Sequence, residues 1–236
     1  MILFKGAATA LVTPFSEGSV DYNALENLIE WQINEGIDAL VSCGTTGEAS
    51  TLSDEEHKKV VQFTIEKTRG RVPVIAGAGS NDTAHAIEMS KALEALGADG
   101  LLLVTPYYNK CSDSGLIQHY EAIANAVSIP SIVYSVQGRT GVNISPKVVS
   151  ELAPNPGICG IKEASGNIAQ VVEISRYLSD DFAMYSGNDE STVPLMAMGA
   201  SGVITTTGNV IPKDMQRMTN AYLNGDVEEA RRMQSG

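Results

Sequence analysis

Short apolar runs alternate with longer amphipathic ones eight times along this chain, and that alternation limits the architecture more than any other feature. The runs cover residues 7–12, 39–42, 72–76, 100–104, 131–134, 157–161, 183–185 and 202–205, at intervals of about 19–34 residues. The segments between them carry helical spacing, as in Leu25, Leu28, Ile29 and Ile33. Ser53-Asp54-Glu55-Glu56 has the form of a capping box, and Ser145-Pro146 puts a cap before a proline at the first helical position. Strands that alternate with helices make a parallel sheet buried on both faces. Eight such units in one chain of 236 residues predict the α/β class and a closed (β/α)8 barrel, the TIM barrel, with an open doubly wound sheet as the alternative. No linker interrupts the pattern, so residues 1–224 are expected to form one catalytic domain, with an eighth helix over 212–223. Gly225-Asp226 then leads into a further amphipathic stretch, and 225–236 reads as the first turns of another helix.

Composition excludes several classes of function. The formal net charge is −12, the wrong sign for a nucleic-acid footprint, and an anionic substrate would need cations placed locally against that field. No apolar run is long enough to cross a membrane, and the N-terminus lacks the form of a signal peptide. Cys43, Cys111 and Cys159 are odd in number and show no CxxC spacing, which fits free thiols in a reducing cytoplasm.

In a barrel of this kind chemistry collects at the C-terminal ends of the strands. Lys162 closes the sixth run, in Gly157-Ile158-Cys159-Gly160-Ile161-Lys162-Glu163. A lysine there is expected to be partly desolvated, which favours the neutral amine and allows Schiff-base formation with a carbonyl; a lysine snorkelling into water is the plainer reading. Gly44-Thr45-Thr46-Gly47-Glu48 follows the second run, Thr105-Pro106-Tyr107-Tyr108-Asn109 the fourth, and Gly138-Arg139-Thr140-Gly141 the fifth, which ends in Tyr134. Ser186-Gly187-Asn188-Asp189 follows the seventh run, and the eighth carries Ile204-Thr205. Singly, each has an ordinary role: a Gly-Thr turn, a core tyrosine, a surface arginine, or Asp189 as the cap of the following helix. Together they give an amine nucleophile, a phenol to move protons, donors for a carboxylate and a guanidinium for a second one. That set predicts a Schiff-base aldolase or lyase acting on a 2-oxo acid. His57, His85 and His119 fall on predicted helices without metal-ligand spacing, and neither a Walker sequence nor a G-x-S-x-G elbow is present; no metal or cofactor is expected beyond the imine through lysine.

These motifs, with Phe4-Lys5-Gly6, Thr13-Pro14-Phe15 and Tyr185-Ser186-Gly187-Asn188-Asp189, resemble the dihydrodipicolinate synthase/N-acetylneuraminate lyase family over nearly the whole chain. The double threonine and the Gly-Arg-Thr-Gly segment resemble its branch that condenses pyruvate with aspartate semialdehyde, a step of lysine and diaminopimelate biosynthesis. The resemblance implies that Lys162 forms the imine, Tyr134 moves protons, and Thr45 links Tyr134 to Tyr108. It implies that Tyr108 crosses into a partner subunit's site in a homodimer or homotetramer. Thr46, Gly187 and the backbone of Ile204 would hold pyruvate, and Arg139 would meet the carboxylate of the semialdehyde. A pyruvate-dependent lyase or aldolase on a sugar acid is a second reading, and a barrel with little or no activity a third.

The chain departs from the family in three places. Ser135 and Gln137 stand where the family commonly has Asn and Pro, which predicts a freer segment around Arg139. Members of the family continue as a helical C-terminal region, so the resemblance implies that 225–236 is the start of a truncated one, largely absent, and predicts apolar surface exposed on the barrel flank. His57, Asn81 and Tyr107 match a lysine-inhibition site found in some members, whereas Asp54 and His85 do not; weak or absent lysine feedback is expected.

Overall fold

The computed structural model describes residues 2–236. Its eight barrel strands are β1 (Gly6–Ala10), β2 (Ala39–Ser42), β3 (Val74–Gly77), β4 (Gly100–Val104), β5 (Ser131–Ser135), β6 (Ile158–Glu163), β7 (Ala183–Ser186) and β8 (Gly202–Thr205). They close in chain order, every neighbouring pair parallel, with β8 beside β1. The barrel is therefore the expected one, with strand ends shifted by no more than two residues. The third strand starts late because Pro73, which has no N–H to give, can only accept, from Leu40 N–H. The sixth runs on to Glu163, so Lys162 lies within a strand and not beyond its end: the pairs Tyr134–Lys162 and Lys162–Tyr185 extend the ladder through it.

Helices follow each strand: α1 (Tyr22–Asn34), α2 (Asp54–Thr68), α3 (Thr83–Ala95), α4 (Asp113–Ala124), α5 (Pro146–Leu152), α6 (Ile168–Ile174), α7 (Thr192–Ala197) and α8 (Pro212–Leu223), after which comes α9 (Val227–Ser235). Seven of the loops that enter helices end in a side chain that caps the next helix: Asp21, Ser53, Asp82, Ser112, Ser145, Asn167 and Asp226. Each such cap satisfies N–H groups the helix cannot, at about 1 kcal/mol apiece. The capping box is present, Ser53 Oγ accepting from Glu56 N–H while Glu56 Oε2 accepts from Ser53 N–H. A hairpin of Phe15–Ser16 with Ser19–Val20 is an addition to the expected pattern; Glu17 and Gly18, at φ 51° and 80°, make its two-residue turn.

Two apolar layers meet across the strands. Inside the barrel, small residues (Ala8, Ala10, Ala39, Ala183) leave room for Leu102, Tyr134 and Tyr185. Phe4 plugs the N-terminal end, stacked on Tyr185 at 4.3 Å and accepting the tyrosine hydroxyl on its carbonyl. Outside, the strands pack on the helices through Leu40, Leu101, Val133, Ile161, Val203 and their neighbours. The C-terminal helix α9 joins this outer layer through fully buried Ala230, while Leu223 and Val227 at its junction with α8 are exposed. No described helix is long and apolar enough to cross a membrane.

Candidate active site

A bulge in β6 decides which way Lys162 faces. Ser131 pairs with Ile158 but Ile132 pairs with Gly160, so Cys159 is an extra residue and the pleat slips by one. Ile158 and Ile161 consequently both pack outward, and Lys162 turns into the barrel beside Tyr134. Strict alternation from Ile158 would have sent Lys162 outward. Gly160 sits where a Cβ would come within 2.5 Å of the Ala183 carbonyl, so only glycine fits the slipped strand.

Lys162 is 4% exposed, and its Nζ lies 4.3 Å from the centre of the Tyr134 ring. Among the described residues it has no hydrogen bond and no ion pair. Burial pushes its pKa down from 10.5 to about 8; Asp189 raises it and Arg139 lowers it by smaller amounts. Gly187 opposes the lysine stem, where a Cβ would stand 3.0 Å from Lys162 Cε. Burial pushes the Tyr134 phenol up, and Arg139 and the Thr45 hydroxyl pull it back less strongly. Thr45 lies beside Tyr134 without a hydrogen bond of full geometry between them.

The turn after β2 supplies unpaired donors. Gly47 N–H bonds to Gly44 and Glu48 N–H to Thr45, which leaves the N–H groups of Thr45 and Thr46 without an acceptor among the described residues. Thr13 Oγ1 donates to the Gly47 carbonyl and holds the turn from β1. Across the barrel mouth Thr46 Oγ1 stands 3.2 Å from Thr206 Oγ1. Pairing of β8 with β7 ends at Val203, so Ile204 has no strand partner on that side.

Asp189 does something other than cap its following helix. Its Oδ2 accepts from Thr206 N–H, Thr207 N–H and Thr207 Oγ1 at 2.7–3.1 Å, tying the loop after β7 to the loop after β8. The following helix, α7, has Ser191 at its N-cap position, and that residue makes no side-chain cap. The loop after β7 is fastened in turn by α9: Gln234 accepts from Val193 N–H at 2.9 Å and donates to the Asp189 carbonyl at 3.0 Å. Nothing in the local sequence marked Gln234, because its partners lie about forty residues away.

Arg139 is exposed on a single helical turn, Gln137–Thr140, closed by Gly141 at φ 71°. The turn does not need a proline. Thr140 Oγ1 accepts from Thr105 and from Val142 N–H and donates to the Val142 carbonyl, an internal hub that fixes it. A cavity of about 390 Å³ opens between Thr45, Tyr107, Tyr134 and Arg139 and extends to Asp54, His57 and His85. In that extension His57 Nε2 meets the Gly77 carbonyl at 2.8 Å, and His85 pairs with Asp54 at 3.6 Å. Tyr108 stays apart from the rest: it is 91% exposed, at φ 73°, while Tyr107 lines the cavity.

The dihydrodipicolinate synthetase family model matches residues 3–236. The 4-hydroxy-tetrahydrodipicolinate synthase of Thermoanaerobacter sp. (strain X514) is 52% identical over 235 residues, 99% of this chain and 79% of that protein. That of Acetivibrio thermocellus is 53% identical over 232 residues, 98% of this chain and 79% of that protein. Among solved structures, dihydrodipicolinate synthase from Aquifex aeolicus superposes with a TM-score of 0.96 at 43% identity, over 98% of this chain and 80% of the other. The chloride-inhibited enzyme of Acinetobacter baumannii, solved in complex with pyruvate, gives 0.95 at 46% identity over the same shares. With the same barrel, the same length of match and about half the residues identical, the chain belongs to the dihydrodipicolinate synthetase family.

Proposed function

We propose that this chain is a 4-hydroxy-tetrahydrodipicolinate synthase, a lyase that joins pyruvate to L-aspartate 4-semialdehyde through an imine on Lys162. The observation that carries the chemistry is the buried, unpaired Lys162 amine against the Tyr134 ring at the C-terminal mouth of the barrel. The pyruvate complex of the Acinetobacter baumannii relative supports the choice of keto acid.

The neutral amine adds to the pyruvate carbonyl carbon. The Tyr134 phenol, held protonated by burial, gives its proton to the departing hydroxyl, so that water leaves and the iminium forms. The phenolate so formed takes a proton from the methyl group to give the enamine, whose terminal carbon attacks the aldehyde of the semialdehyde, and the phenol returns that proton to the aldehyde oxygen to make an alcohol. The amino group of the adduct then adds to the iminium carbon and expels Lys162, closing the ring. The Thr45 and Thr46 N–H groups and the Thr46 hydroxyl are suited to the pyruvate carboxylate, with Ile204 backbone and Gly187 bounding the pocket. Arg139 offers a bidentate fork to the second carboxylate. No separate cofactor takes part in this scheme. Tyr108, exposed on its own subunit, serves the site of a second copy through Thr45, so the active unit is a homo-oligomer.

Steady-state assay with pyruvate and aspartate semialdehyde tests the assignment against sugar acids. Condensation with the semialdehyde and no cleavage of N-acetylneuraminate or 2-keto-3-deoxy acids is the expected result; cleavage of a sugar acid with no condensation would replace it by the lyase reading.

A further inference from the structure

The segment that carries Arg139 is closed by a buried polar chain whose far end is the residue next to Lys162. Ser135, the last residue of β5, and Asn143 bracket the segment: Ser135 Oγ donates to Asn143 Oδ1 at 3.2 Å and accepts from Ile144 N–H at 3.1 Å. Asn143 and Gln170 of α6 face one another as a reciprocal amide pair. Asn143 Nδ2 donates to Gln170 Oε1 at 2.7 Å, and Gln170 Nε2 donates to Asn143 Oδ1 at 3.2 Å. Gln170 Nε2 also donates to Glu163 Oε2 at 3.2 Å, and Glu163 Oε1 accepts from Ser165 N–H at 2.7 Å. Glu163 is 2% exposed and Gln170 8%, and no cation pairs with the carboxylate among the described residues.

A buried carboxylate without a cation is costly, and an apolar filler between sheet and helix would be cheaper. What the polar chain provides is a single arrangement, since each amide has one orientation that satisfies every partner. Its two ends explain the use of that arrangement. Lys162 and Glu163 are successive residues of β6 on opposite faces, so the chain anchors the Arg139 segment to the strand that carries the amine, a strand its own ladder already holds. Arg139, by contrast, stands on a turn with open space around Gly138, held by its own backbone bonds, by Thr140 and by its closure at Ser135 and Asn143.

We propose that Asn143 and Gln170 are positioning residues for Arg139: they lock its segment to the Lys162 strand and so set the site's selectivity for an aldehyde that bears its own carboxylate. The proposal rests on the reading of Arg139 as the receptor for the second substrate.

The test compares Gln170→Leu with Ser135→Ala, the smaller change, each confirmed to unfold cooperatively and each also made in an Arg139→Ala background. Steady-state kinetics are measured with each substrate varied in turn, alongside borohydride trapping of pyruvate on Lys162. Gln170→Leu is expected to raise KM for aspartate semialdehyde about tenfold, the scale of one weakened charged hydrogen bond, and Ser135→Ala to raise it less, with KM for pyruvate and trapping essentially unchanged. In the Arg139→Ala background neither change should have a further effect. Wild-type KM for the semialdehyde in both variants, equal loss for both substrates, or an effect that persists without Arg139 would overturn the proposal. A parent enzyme that traps pyruvate but does not consume the semialdehyde would overturn the underlying reading as well, and is told apart by the parent alone.

Discussion

A lysine whose pKa burial brings down towards neutrality sets its own pH dependence. Burial brings the Lys162 pKa to about 8, and only the free amine attacks, so the rate of imine formation should climb with pH through that value and level off above it. Initial rates of pyruvate trapping on either side of pH 8 check this; a flat profile would contradict it. The same burial weakens the fold. The folded-state pKa lies below the unfolded value of 10.5, so the penalty is complete below pH 8 and shrinks as pH rises towards 10.5. Lys162→Met should therefore be inactive yet stabilise the protein at neutral pH by about 3 kcal/mol, a gain that fades in alkaline buffer. Urea unfolding at two pH values measures it.

At the scale of elements, loops far apart in sequence are joined by a few polar side chains. Gln234 of α9 holds the β7–α7 loop, Asp189 of that loop holds Thr206 and Thr207, and Thr206 faces Thr46. Gln234→Ala should raise KM for pyruvate several-fold, the worth of one or two partly buried hydrogen bonds, with little change in the thermal midpoint; an unchanged KM would make the contact incidental to the site. This level of organisation was only partly legible in the sequence. Apolar periodicity and capping residues act locally, so the strand order, the capping box and the Ser145-Pro146 start could be read from neighbours in the chain. The bulge at Cys159 could not be read so: nothing in Ile158-Cys159-Gly160-Ile161 distinguishes a slipped pleat from a regular one until the opposing strands are in place. Asp189 was read as a local cap for the same reason, since its partners come from the next strand's loop. The Ser135 and Gln137 departures suggested a looser Arg139 segment, but Thr140 supplies the restraint from inside the turn.

For the whole molecule, the closed barrel gathers residues from six strand ends around one mouth, yet leaves Tyr108 facing solvent. If that tyrosine completes the proton path of a second copy, Tyr108→Phe should slow condensation about a hundredfold while trapping of pyruvate on Lys162 stays near the parent rate. Equal loss of both would remove Tyr108 from the relay. With a net charge of −12, two anionic substrates would have to be received by local groups such as Arg139 and the unpaired N–H groups, against the general field. The claim on which everything else depends is that Lys162 is the nucleophile. Incubation with pyruvate and borohydride, followed by intact mass and peptide mapping, tests it most directly. One reduced pyruvate per chain on Lys162, abolished in Lys162→Met, is the predicted result; a folded protein that gains no mass, or gains it on another lysine, would contradict the account.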